Sequence, residues 1–188
     1  MSLLWNGGLV RFSELSKRLK LLSAQLIVPG LLLFSPLVAS ATSMAVLEFE
    51  LNDLTLNPNV VEETRRTATL RPLLVEQLTN HYNVRVIENP ASARIEAEKG
   101  KGYLFDRPPL AAKIGREAGV DWIVSGRLHK ASFLFVYLKA QLINTQNGQV
   151  AADFVVEIKG PQEKLTKKGV ESLAQQIAAA LETLGAEL

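Results

Sequence analysis

The sequence predicts an α/β domain, a single mixed five-stranded sheet with helices packed on it, behind an export signal. Three observations predict it. Short apolar segments of two-residue period alternate with longer segments of helical period. Asn, Gly and Pro punctuate the junctions. The 188 residues are 47% hydrophobic and 21% charged, an ordinary globular composition for one domain with a short appendage. The predicted order is β-α-β-α-α-β-β-β-α. Helical crossovers call for parallel pairing in the first half, and the closing turn calls for an antiparallel meander in the second.

Met44 to Leu51 opens the sheet as one alternating strand, with Glu48 and Glu50 on its polar face. Asn52-Asp53 and Asn57-Pro58-Asn59 are loop chemistry. Val60 to Asn80 has helical spacing through Leu70, Leu73, Leu74 and Leu78. Pro72 interrupts it, which predicts a kink or a helix that restarts near Arg71. His81 to Ile87 is the second strand, and Asn89-Pro90 caps a short helix ending near Lys99. Gly100-Lys-Gly102 breaks that helix, and Pro108-Pro109 starts the next, which Gly119 stops. Val120 to Leu128 and Phe133 to Ile143 are the third and fourth strands, the latter most simply buried on both faces, with a hydrophobic docking edge as the alternative reading of Phe133 to Leu138. Asn147-Gly148 supplies a hairpin turn with positive φ angles, Gln149 to Ile158 is the fifth strand, and Glu163 to Gly185 is an amphipathic helix. Ile123, Phe133, Phe135 and Phe154 are the expected core.

The first 41 residues carry Arg11, Lys17, Arg18 and Lys20 ahead of an apolar run, Leu21 to Val38, that closes on Ala39-Ser40-Ala41. Basic, apolar and small-residue regions in that order predict a signal peptide cleaved after Ala41 and a periplasmic domain over residues 42–188. Pro29-Gly30 and Pro36 argue against a retained membrane span. Of the 21 basic and 19 acidic residues, four basic and one acidic lie in this segment, so the remainder carries 17 and 18. A near-neutral domain has no electrostatic footprint for nucleic acid. With no cysteine and two histidines, disulfide frameworks, thiolate metal sites, lipid attachment at cysteine and cysteine nucleophiles are excluded, and no cofactor or metal is expected. No nucleophile elbow, P-loop, H-E-x-x-H or dinucleotide fingerprint occurs.

Three runs, Ala45 to Asp53, Ile114 to Lys130 and Gln141 to Val150, resemble an uncharacterised family of proteobacterial secreted proteins. More distantly they are similar to the periplasmic α/β domains of the curli-secretion lipoprotein and of the N-terminal part of TolB. The resemblance spans roughly residues 45–185. It implies the α/β fold and an accessory role, and it associates the chain with quinoprotein alcohol oxidation. The missing lipid-attachment cysteine and pore-forming hairpin mean that outer-membrane pore formation is not implied.

Candidate functional residues cluster at strand ends. Arg127 and His129 lie two apart and so share a sheet face. With Lys130 and Asp53 they form a candidate partner- or ligand-binding patch, although a solvated sheet end explains the same residues. Glu48, Glu50 and Asp53 supply carboxylates that could serve acid–base work, and a hydrolase would be built on Glu50, Asp53 and His129. The arginines Arg65, Arg66 and Arg71 stand near Glu62 and Glu63, as expected of helix-surface ion pairs. The sequence therefore points to an exported, non-catalytic accessory or assembly protein that binds a periplasmic or outer-membrane protein partner. A small-ligand carrier and a hydrolase are the alternatives.

Overall fold

The computed structural model describes residues 42–56, 60–100, 102–159 and 163–186. The expected signal peptide and the Asn57-Pro58-Asn59 loop lie outside the described residues. The elements are β1 (Ser43–Val46), β2 (Glu50–Asp53), α1 (Val60–Tyr82), β3 (Arg85–Ile87), α2 (Ala91–Ala97), α3 (Pro108–Ala118), β4 (Trp122–Lys130), β5 (Phe135–Asn144), β6 (Val150–Lys159) and α4 (Glu163–Ala186). The sheet order is β3-β1-β4-β5-β6, with β2 also on β4. Strands β1, β2 and β3 pair in parallel, and β4, β5 and β6 form an antiparallel meander. The mixed α/β class holds, with six strands in place of five.

The additional strand arises because the expected opening strand breaks in two. Between the pairs Val46↔Val124 and Glu50↔Arg127 the first chain advances four residues while β4 advances three. One residue is therefore extra, as in a β-bulge. The Val46 carbonyl leaves the ladder and accepts from Arg71 Nε at 2.9 Å and Asn89 Nδ2 at 2.8 Å. Phe49 then lies across Gly126, where an added Cβ would sit 2.4 Å from its ring. The extra residue reverses the face that each side chain takes. Glu48 turns to Arg71 at 3.6 Å, while Glu50 turns to Arg127 at 3.1 Å, so the two carboxylates do not share one polar face.

Helix α1 runs unbroken through Pro72 and does not restart near Arg71. Ala68 and Pro72 both lie on the exposed side, where a carbonyl that the proline cannot pair costs least. Thr67, Leu70, Leu74 and Leu78 hold the helix to the sheet on either side. Asn83, at φ 52°, ends it, and the Val84 N–H bonds to the Leu78 carbonyl. His81 and Tyr82 thus belong to the helix, and only Arg85–Ile87 remain for β3. In the hairpin Gly148 alone has positive φ, since Asn147 instead accepts the Gln149 N–H through its side chain.

Helices α1 and α4 cover one sheet face, burying Met44, Val46, Val124, Leu128, Leu138, Leu142 and Leu173 among others. Helices α2 and α3 cover part of the other, over Ala45, Leu47, Ile123 and Ile143. That second layer stops short, so the outer halves of β4, β5 and β6 keep an open face. Ile123 and Phe154 are buried as expected. Phe133 and Phe135 are not, at 63% and 44% exposure, because β5 begins at Phe135 and projects beyond the helices. Among the described residues no helix is long and apolar enough to cross a membrane.

Candidate functional site

Strand β4 extends to Lys130, two residues further than expected, and its alternation sends the candidate residues to opposite faces. Arg127 and His129 point to the open face, whereas Lys130 points beneath α1. The pairing Asp53↔Lys130 sets Asp53 beside Lys130 on that covered face.

On the open face Arg127 is a structural anchor. Its Nη2 bonds to Glu50 at 3.1 Å and Asp106 at 3.0 Å, and its guanidinium lies 4.2 Å from the Phe105 ring. Burial alone would lower its pKa, but the bonds to Asp106 and Glu50 outweigh that and raise it. Glu50 also accepts the Gly102 N–H at 2.8 Å and the Phe105 N–H at 3.3 Å. Gly102 has φ 75°, and a Cβ there would fall 2.1 Å from Asp106. This constellation clamps the loop between α2 and α3 onto the sheet. His129 accepts from Asn52 Nδ2 at 3.1 Å, and the Tyr137 ring centroid is 6.3 Å away. Desolvation, with the charges of Lys139 and Arg127, lowers its pKa.

On the covered face Lys130 Nζ sits between Asp53 at 3.3 Å and Glu63 at 3.0 Å. The three side chains are only 4–7% exposed. Asp53 also accepts from the backbone and hydroxyl of Thr55. Burial acts to raise the Asp53 pKa, and the Thr55 and Lys130 bonds overcome it, leaving it lowered. Burial acts to lower Lys130, and Glu63 and Asp53 leave it raised. Glu63 continues to Arg66 at 3.5 Å, and Arg66 donates to Thr166 on α4. The network ties β2, β4, α1 and α4 together.

Lys130, expected on an exposed patch, is thus a buried structural cation. The hydrolytic set does not converge either, since Asp53 lies across the sheet from Glu50 and His129. Among the described residues no group of three His, Cys, Asp or Glu is placed to hold a metal. A groove of about 700 Å³ lies between α1 and α4, lined by Glu63, Arg66, Leu73, Glu163 and Lys167, and it meets the buried network at Glu63. The expected helix-surface pairs are present as Arg65–Glu62 and Arg66–Glu63.

What the strand ends do present is apolar. The Leu54 N–H bonds to the Lys130 carbonyl, so the chain leaving β2 and the turn leaving β4 emerge together. Leu54 and Leu56 are 60% and 96% exposed, and Phe133, Leu134 and Phe135, in and just after the turn that leaves β4, are exposed as well. Ser132 accepts the N–H groups of Leu134 and Phe135 and so shapes that turn. Large apolar side chains exposed on adjoining segments are the kind of surface that docks partners. From the sequence, a buried strand is the preferred reading of Phe133–Phe135 and a docking edge only the alternative. The usable signal was a set of large apolar residues beside turn formers, outside any periodic element.

Residues 42–177 match the family DUF3280, described as "Protein of unknown function (DUF2380)". No curated protein matches the chain. Among solved structures, the hypothetical protein CT253 from Chlamydia trachomatis is similar at 10% identity and TM-score 0.54, over 76% of this chain and 99% of that one. The PelC dodecamer from Paraburkholderia phytofirmans is similar at 14% identity and TM-score 0.48, over 74% and 87%. The lipoprotein GNA1162 from Neisseria meningitidis is similar at 19% identity and TM-score 0.43, over 73% and 96%. At these identities the likeness extends to the fold alone.

Proposed function

The chain belongs to the DUF3280 family, and from that premise we propose that it is an exported, non-catalytic accessory domain that docks a protein partner through the apolar end of its sheet. One observation carries the proposal. Leu54, Leu56, Phe133, Leu134 and Phe135 stand exposed together on two adjoining chain segments, rooted in the buried Asp53–Lys130–Glu63 network. A rigid root lowers the entropic cost of presenting apolar side chains to a partner. The proposed docking end adjoins the strand ends that carry the candidate residues Asp53, Arg127, His129 and Lys130, but its chemistry is apolar. Arg127 and His129 flank it on the open face, with Arg127 already committed to Glu50 and Asp106.

The signal-like segment 1–41 supports export to the periplasm, where the partner is a periplasmic or outer-membrane protein. The resemblance to secreted proteins associated with quinoprotein alcohol oxidation makes that system the first place to look. Cross-linking in cells followed by capture tests the proposal with Phe133→Ser/Leu134→Ser beside Arg127→Ala. The apolar pair should lose the partner at unchanged melting temperature, because both positions are largely exposed. Equal capture by the apolar pair and the parent removes this end from the proposal.

A further inference from the structure

The sheet has two edges of unequal character. β3 closes one with three residues. β6 closes the other with ten, in the sequence Val-Ala-Ala-Asp-Phe-Val-Val-Glu-Ile-Lys, free of proline and glycine. Among the described residues β6 pairs only with β5, so a full row of backbone donors and acceptors faces outward. Such an edge is a template for another strand.

The charges along β6 decide which strand fits. Asp153, Val155, Glu157 and Lys159 project from the open face, and Phe154, Val156 and Ile158 lie beneath α4. Asp153 forms no ion pair among the described residues, and Lys159 has only an exposed contact with Glu157 at 3.9 Å. Set antiparallel to itself about Val156, the strand places each Asp153 opposite a Lys159 and each Val155 opposite a Glu157. Each Phe154 then meets an Ile158, so the apolar row continues across the junction. Centred on Val155 instead, the same strand opposes Asp153 to Glu157, and like charges directly opposite repel. We propose that β6 is a self-pairing edge, through which two copies of this chain join their sheets antiparallel about Val156.

Sedimentation of the purified full-length protein tests this by charge reversal. The parent should be dimeric at micromolar concentration. Asp153→Lys or Lys159→Asp alone turns two attractive cross-strand pairs into repulsive ones and should weaken the dimer at least about tenfold. The double reversal restores both pairs and should recover the parent affinity within about threefold. Both side chains are exposed, so the melting temperature of the dilute monomer should not move. A parent that stays monomeric at 100 µM would overturn the proposal, as would a dimer indifferent to both single reversals or one that the double reversal fails to restore. The Phe133→Ser/Leu134→Ser pair lies outside this edge and should dimerise as the parent does, which separates this surface from partner docking.

Discussion

Replacing Lys130 with alanine is the sharpest probe of the root beneath the apolar end. The change removes the cation held between Asp53 at 3.3 Å and Glu63 at 3.0 Å and leaves two carboxylates at most 7% exposed. Breaking a buried pair from one side costs about 3–5 kcal/mol, since the remaining charge is uncompensated. Here Thr55 still bonds Asp53 and Arg66 still faces Glu63, so about 3 kcal/mol is the expected loss. For a domain of this size that lowers the melting temperature by roughly 6–12 °C. The pH dependence should change as well. In the parent, Asp53 has a lowered pKa, so its contribution is present above its ordinary pKa of 3.8 and lost as pH falls through the lower folded value. Lys130 has a raised pKa, so its contribution is full below 10.5 and lost as pH rises through the higher folded value. Between these limits the parent should be flat in both respects. Without the cation Asp53 loses one of the partners that hold its pKa down while burial still acts to raise it, so the variant should gain stability relative to the parent as pH falls towards 4. Urea unfolding across that range measures both effects. A loss below about 0.5 kcal/mol, as for a solvated lysine, would refute the burial argument.

Phe154→Ala should cost about 3–5 kcal/mol as a core truncation, and Phe135→Ala much less, because Phe135 is 44% exposed; denaturant unfolding of the two variants compares them directly. His129 should titrate below its ordinary 6.5 by NMR, so its contribution to stability is present above 6.5 and lost as pH falls through the lower folded value, and Lys139→Gln should move the titration back towards 6.5. Glu50→Ala should release the loop after α2, seen as faster hydrogen exchange at the Gly102 and Phe105 amides with exchange in β5 unaltered. Gly126→Ala should destabilise by more than 1 kcal/mol in urea, since its Cβ would meet the Phe49 ring at 2.4 Å; a neutral result would misplace the bulge.

Periodicity and punctuation in the sequence determined the class of fold and most of its elements. Leu70, Leu74 and Leu78 needed only helical spacing, Gly119 needed only its freedom at φ 69°, and the β5–β6 meander needed a hairpin turn between two strand-like runs. These are local preferences, summed over neighbours a few residues away. Tertiary structure alone decided which face each residue of β1 and β2 would take, because the extra residue between Val46 and Glu50 is visible only against the register of β4. It also decided that α1 would run through Pro72, since packing on both sides outweighed one missing hydrogen bond. The candidate site shows the same division. Alternation correctly set Arg127 and His129 on one face. The burial of Lys130 depended on Asp53 and Glu63, 77 and 67 residues earlier, arriving at the same place. The exposure of Phe133 and Phe135 depended on where the helices above the sheet stop. Hydropathy states what a side chain prefers, and burial depends on what the rest of the chain brings to cover it.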